Sequence, residues 1–364
     1  MDKQPKGTIL SGYRVLDLAD GKDIFCSRLL ADMGADVVRI ERPGSDSARS
    51  FLSWEANAGK RGITLNLEAE HGRDIFKRLV ETADVLVESY QPGYLEASGL
   101  GFPQLSEINP RLIMASITLF GQSGPYRDYK SCDMVASALG GQMYICGEPE
   151  STPLKPFGAQ TYRSACLFAA VGILLALWNR RATGRGGQHI DISVQDCVAA
   201  ALDHTMVRYF YEGIVSERQG SLHWNNAFRI FPCRDRYILL SLFQHWETLV
   251  EWLDSEGMAE DLTDKKWLDM EERRRHLKHV IEVLERWTLS HTVTELVEQG
   301  QLMRFPWAEV TSISGLLDSP QLRERDFWVE AEHPRSGEHN REVYNGELGL
   351  SEEEIERLIR EGVI

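Results

Sequence analysis

The sequence predicts an α/β protein: a larger domain on a parallel, doubly wound sheet, followed by a smaller α+β domain. Three observations carry this expectation. From Tyr13 to Gly121, short β-branched runs alternate with segments of helical spacing, as strand–helix–strand units do. The chain has 364 residues, too many for one small core. Near SERQGSLHWNNAF the composition turns polar and rich in turn-formers, as a linker does.

The first unit reads YRVLDLA as strand, IFCSRLLADMGA as helix and DVVRIE as strand, stopped at Pro43-Gly44. HGRDIFKRLVETA is then a helix, DVLVESY a strand and Gln91-Pro92-Gly93 a turn, before the apolar strand RLIMASITLFG. TGRGGQHIDISV is a Gly-rich turn entering a strand, and VQDCVAAALDHTMVRYFYEG has helical spacing. Beyond the polar stretch, RDRYILLSLF reads as a strand, and WETLVEWLDSEG, EERRRHLKHVIEVLERW and TVTELVEQGQL as helices. DFWVEAEHPRSGEHNREVY reads as extended. SEEEIERLIREGVI is a helix with Ser351 as N-cap and Glu354 closing a capping box. The expected organisation is a large domain over 1–200, a linker over 201–224, a small domain over 225–325, and a C-terminal segment, 326–364, returning to the large domain.

GAQTYRSACLFAAVGILLAL, Gly158 to Leu177, carries no charge from Ala165 onward and holds Gly172 inside it. The run is shorter than the roughly 20 apolar residues a bilayer needs. A helix apolar on every side belongs in a core. Tyr162 and Arg163 are then expected in the loop at its N-terminus, a place suited to an anion or a reacting carboxylate. A tyrosine there is a poor nucleophile, because it keeps its proton to about pH 10.

The formal net charge of −15 argues against nucleic acid and anionic membranes as partners, since both need basic patches. The six cysteines (Cys26, Cys132, Cys146, Cys166, Cys197, Cys233) are scattered without metal-ligand spacing, and the ten histidines are dispersed, so no metal is expected. The thiols read as those of a reducing compartment, and MDKQPKGTILSG has no apolar signal core, so the expected location is the cytoplasm. The turn ADGKDIF lacks the GxGxxG of a dinucleotide site, and neither a GxSxG elbow nor a P-loop occurs. Gly184, Gly186 and Gly187 are more simply a helix-to-strand connection than a phosphate cradle. The run Glu271-Glu272-Arg273-Arg274-Arg275 reads as a solvated helix face.

Read as a whole, the chain resembles the class III (CaiB/BaiF-type) CoA-transferases. The resemblance rests on RVLDLA, LLADMGADVVRIERPG, GKRGITLNLEAEHGRDIF, ETADVLVES, INPRLIMASITLFGQSGPY, AAVGILLALWNRRATGRGGQHIDISVQD and LGLSEEEIERLIREGVI, in order along nearly the entire chain. It implies a Rossmann-like large domain, a smaller domain, and two chains threaded through each other as an interlocked dimer. In the family an active-site aspartate exchanges CoA between acids through mixed anhydrides, and racemases of the same fold move a proton at the α-carbon of an acyl-CoA.

Against that family pattern, Tyr162 occupies the place of the nucleophilic aspartate, ten residues before Gly172. From Gly147 to Gln188 the only carboxylates are Glu148 and Glu150, both in a turn. Cys132 falls at the racemase histidine. Glu68 stands where a basic residue commonly contacts CoA phosphate, and Ala97 replaces a second such residue. The loop ADGKDIF is one residue short, and the tail between His333 and Gly337 is shorter than the family's two-strand passage. Arg42, Lys130, Ser89 and Tyr90 remain as a weak, vestigial CoA site. These departures leave the scaffold motifs in place, which suggests a chain kept for assembly. Heteromeric members such as the benzylsuccinate CoA-transferases have one aspartate-bearing subunit of two, and this sequence resembles the other. The expectation is a non-catalytic subunit of a CoA-transferase complex acting on CoA and acyl-CoA as substrates, with no tightly bound cofactor and an Asp-bearing homologue as partner. Two alternatives stand beside it: a self-sufficient CoA-transferase or an isomerase- or racemase-like enzyme using Tyr162, and a CoA- or acyl-binding regulatory protein.

Overall fold

A computed structural model describes residues 8–19, 25–45, 55–223, 227–330 and 334–364. Most of the loop ADGKDIF, together with Asn225 and His333, lies outside the described residues. The chain divides into two units: Met1–Ile145, Leu154–Ser216 and Glu330–Ile364 form the first, Cys146–Pro153 and Glu217–Val329 the second.

The first unit is built on β1 (Arg14–Leu18), β2 (Asp36–Glu41), β3 (Arg61–Thr64), β4 (Val85–Glu88), β5 (Ile113–Thr118) and β6 (His189–Ser193). They form one parallel sheet in the order β3-β2-β1-β4-β5-β6. Val15 pairs with Val37 on one side and Val85 on the other, so the chain runs outward both ways from the β1/β4 boundary. In an open α/β sheet that reversal is where ligands bind, outside the carboxyl ends of the strands.

Both faces of the sheet are covered, as a parallel sheet requires. Leu16, Val38, Leu86 and Met114 point to one face and pack with Phe76 and Leu79 of α2 (Glu70–Glu81). Val15, Val37, Val85 and Ile113 point to the other and pack with Leu30 of α1 (Phe25–Asp32) and, further along the chain, with the long apolar helix. Between β4 and that helix lie α3 (Tyr94–Ala97), α4 (Phe102–Ile108) and α5 (Asp133–Leu139).

The long helix, α6 (Gln160–Thr183), departs from expectation in three respects. It has 24 residues, so by length and composition it could cross a bilayer; half of its most apolar stretch is buried inside the protein instead. Tyr162 and Arg163 lie in its first turn rather than in a preceding loop. And it is not buried on every side: Ala165, Cys166, Ala169, Ile173 and Leu177 face the sheet, while Leu167, Val171, Leu175 and Trp178 are more than half exposed. The sequence shows no polar face there because both faces are apolar, whatever covers them. At the far end, Gly184 caps the helix with φ +69°, and a Cβ on Gly187 would fall 1.7 Å from the Leu112 carbonyl oxygen. The glycine run is thus a connection threaded past β5, as read. After it come α7 (Val194–Ala200) and α8 (His204–Glu212), so part of the stretch read as linker is helical.

The second unit has its own antiparallel sheet, β7 (Leu222–His223), β8 (Phe228–Pro232), β9 (Tyr237–Ser241) and β10 (Ala308–Glu309), in the order β10-β9-β8-β7. Its helices are α9 (Trp246–Ser255), α10 (Met270–Arg275), α11 (Leu277–Leu289), α12 (Val293–Leu302), α13 (Ile313–Leu317) and α14 (Pro320–Glu324). Trp246, Trp267, Trp287 and Trp307 share its core. The segment EERRRHLKHVIEVLERW is two helices broken at His276, and Arg273 within it is only 5% exposed. The run read as a solvated face therefore buries one of its cations.

The chain then returns to the first unit. The stretch read as extended instead holds turns and a π-helical segment, Glu342–Glu347. It lies along the outer edge of β3: His339 N donates to Gly62 O at 2.9 Å, Thr64 N donates to Asn340 Oδ1 at 2.9 Å, and the Tyr344 hydroxyl donates to Thr64 O at 2.5 Å. Edge groups of β3 are thereby satisfied without an added strand. The last helix, α15 (Glu352–Arg360), carries the expected capping box of Ser351 and Glu354.

Candidate CoA-thioester site

Two hollows meet at the carboxyl ends of β1, β2, β4 and β5, and Ser89, Tyr90 and Gln91 line both. The short loop they form follows Glu88, whose Oε2 accepts from Tyr90 N at 2.8 Å. Glu88 is buried and also bonded to Ser116, whose Oγ lies 2.8 Å from His189 Nε2. Burial raises the Glu88 carboxyl to about 7, against the stabilising Ser116 and Tyr90 bonds. Tyr90 stacks on Tyr94, with ring centroids 4.7 Å apart. A flat aromatic floor of this kind suits a nucleobase or a pantetheine chain.

The first hollow, about 390 Å³, is bounded by Arg42, Asn66, Glu68 and Tyr94 besides the shared loop. The fold brings together the basic and the acidic residue that the sequence set against each other. Arg42 forks onto Glu68 (Nη1–Oε1 3.3 Å, Nη2–Oε2 3.0 Å), and both side chains are exposed. An exposed pair of this sort is worth about 0–1 kcal/mol, so a phosphate can compete for Arg42, but only beside a carboxylate that repels it. Ala97, exposed at the end of α3, lines neither hollow.

The second hollow, about 230 Å³, is lined by Thr118, Phe120, Arg127, Tyr129, Lys130 and Tyr162. Lys130 is thus placed with Ser89, Tyr90 and Tyr162. Arg127, which the sequence reading passed over, joins it; an arginine in a turn gives no local signal of what it will face.

Tyr162, 4% exposed, is also a wall of a third hollow of about 610 Å³. There it meets Cys132, Phe25, Met134 and Phe157. Arg163 is clamped by both Glu55 oxygens at 2.8 and 2.7 Å and lies over the Phe25 ring. Asp133, far from Tyr162 in the sequence, shares this hollow with it. Its Oδ1 accepts from Thr161 Oγ1 at 2.5 Å and from Thr161 N at 3.3 Å, and Lys155 sits 2.7 Å from Oδ2. Asp133 caps α6 from a separate helix, because Ala159 at the N-cap has no side-chain acceptor.

Beneath the first hollow, Asp17 at the end of β1 is fully buried. It accepts from Lys60 Nζ at 2.8 Å, Ser27 Oγ at 2.6 Å and Ala19 N at 3.0 Å, with Arg39 Nη1 at 3.4 Å. Burial opposes its ionisation, but Lys60 and Arg39 outweigh that and hold its carboxyl below the usual range. This network locks the start of the β1–α1 connection under the site.

The model of CoA-transferase family III matches residues 10–357. The chain belongs to CoA-transferase family III. Among family relatives, it is 32% identical to the Succinyl-CoA:(R)-benzylsuccinate CoA-transferase subunit BbsE of Thauera aromatica, over 98% of each chain. It is equally 32% identical to the Succinyl-CoA–L-malate CoA-transferase beta subunit of Chloroflexus aurantiacus, again over 98% of each. The fold matches the crystal structure of a CaiB/BaiF family protein from Brucella suis with a TM-score of 0.84 and 26% identity, covering 91% of this chain and 97% of that one.

Proposed function

We propose that this chain is the assembly subunit of a heteromeric family III CoA-transferase, which moves CoA from an acyl-CoA such as succinyl-CoA to an organic acid. A homologous partner supplies the catalytic carboxylate. The observation that carries this reading is Tyr162, buried in the first turn of α6 between two hollows, where a nucleophilic aspartate would stand. A carboxylate attacks a thioester and leaves an anhydride that a thiolate reopens; a neutral phenol does not. Asp133 is close but engaged by Thr161 and Lys155. The Arg42–Glu68 pair leaves the CoA side weakly cationic, in keeping with a chain that holds no CoA tightly. Two of the most similar relatives are themselves named as subunits. The exposed apolar stripe on α6, with Val207, Phe210 and Tyr211 on α8, is the sort of surface an interlocked partner covers. Such a complex belongs in the cytoplasm, where six free thiols stay reduced.

The test is reconstitution. The chain alone should transfer no CoA from succinyl-CoA to organic acids. Co-expressed with a homologue bearing Asp at the position of Tyr162, it should run as one complex in native mass spectrometry. Activity of that complex should survive Tyr162→Phe here and vanish when the partner's aspartate becomes asparagine. Steady turnover by the homogeneous chain, lost on Tyr162→Phe or Asp133→Asn, would overturn the reading in favour of a self-sufficient enzyme.

A further inference from the structure

A hollow of about 330 Å³ opens at the N-terminus of α9 in the second unit, lined by His245, Trp246, Glu247, Thr248, Leu268 and Arg273. Two independent features make it unusual. The ten-residue helix α9 is preceded by His245, whose backbone is left-handed at φ +49° and whose side chain does not cap it. Its first-turn residues Trp246, Glu247 and Thr248 line the hollow, at the positive end of the helix. Arg273 forms another wall and is 95% buried by its 5% exposure. Its guanidinium lies 4.7 Å from the Trp246 ring centroid, and Nη1 donates to Trp267 O at 2.9 Å. Nε has no hydrogen-bond partner, and among the described residues no carboxylate pairs with this cation. Asp269 is the acid that acts on it electrostatically, but its Oδ1 caps α10 by accepting from Glu271 N.

The Trp246 and Phe243 rings and the Trp267 carbonyl offset part of the cost of burying this guanidinium, but none of them carries the opposing charge of an anion. Here the charge lies beside a helix N-terminus that no side chain caps, which also favours an anion. Glu247, exposed in the first turn of α9, is the acid at the rim and competes weakly for the same positive potential. We infer that this hollow is a binding site for a small oxyanion, the carboxylate of an organic acid or inorganic phosphate, held by the Arg273 guanidinium and the first N–H groups of α9. The site lies in the second unit and does not depend on whether this chain is catalytic.

Equilibrium dialysis of the purified chain against radiolabelled succinate and, separately, radiolabelled phosphate tests it. Saturable 1:1 binding is expected, and which anion binds names the source. Arg273→Lys keeps the charge but loses the planar fork, and should weaken binding about tenfold or more. Glu247→Gln, on the exposed rim, should tighten it about two- to fivefold. The Glu247 variant decides the matter if Arg273→Lys does not fold. Absence of saturation for both anions, or binding that neither substitution alters, overturns the inference.

Discussion

Tyr162 combines two properties that matter separately: it offers no nucleophile, and its ring is a wall common to two hollows. On the proposed reading, aspartate at this position would supply a carboxylate but leave Glu68 and Ala97 without a cation. Tyr162→Asp alone is therefore expected to give no CoA transfer by the isolated chain, measured by loss of succinyl-CoA; full activity would show that neither Glu68 nor Ala97 needs to be a cation. Glu88 gives a prediction in pH. Its folded carboxyl is raised to about 7, so the stabilising state is the protonated one. That contribution is complete below about pH 4.5 and is lost as pH rises through about 7. Glu88→Gln keeps an acceptor for Tyr90 N and cannot ionise. The variant should gain on the wild type progressively from pH 5 to 8, by about 2–3 kcal/mol at most, as read by urea unfolding at each pH. A difference independent of pH would show that Glu88 does not titrate in this range.

Among the elements, α6 is the one whose start the sequence located least well. Its apolar body was legible, because fourteen uncharged residues leave no choice but helix. Its first turn was not, because the acceptor that starts it belongs to Asp133, on another helix, and no local spacing announces such a cap. Asp133→Ala should lower stability by about 1–2 kcal/mol, measured as a shift of the urea midpoint at unchanged slope. A neutral substitution would relegate the capping bond to coincidence. The strands β1, β2, β4 and β5 were readable for the converse reason: they are buried on both faces, so their apolar character depends on no distant partner; β3, only RGIT in four residues, was not read as a strand. The capping box of α15 was readable because both its members lie within four residues. By contrast, Arg42 was legible as a cation, but its fork onto Glu68 joins residues 26 apart and appears only when β2 and β3 lie side by side.

For the whole molecule, the first unit presents apolar side chains on α6 and α8 that its own core does not use. Leu175→Glu with Trp178→Glu, on the exposed stripe, should weaken assembly with the proposed Asp-bearing partner at least tenfold in native mass spectrometry. The melting temperature of the isolated chain should change little, since neither residue contributes to the core described here. Unchanged assembly would place the partner elsewhere.

The strip of chain along β3 also sets a timetable for synthesis. Gly62 and His339, which meet at that edge, are 277 positions apart in the sequence. At about 5–20 residues per second, a ribosome takes roughly 15–55 s to travel that far. Throughout this interval the nascent sheet holds an uncovered border on which another strand could seat itself, while the second unit, encoded wholly in between, has time to fold. The first unit begins first and is finished last, so a holding chaperone, or slow translation before residue 339, would bear on yield more than any change to the finished fold.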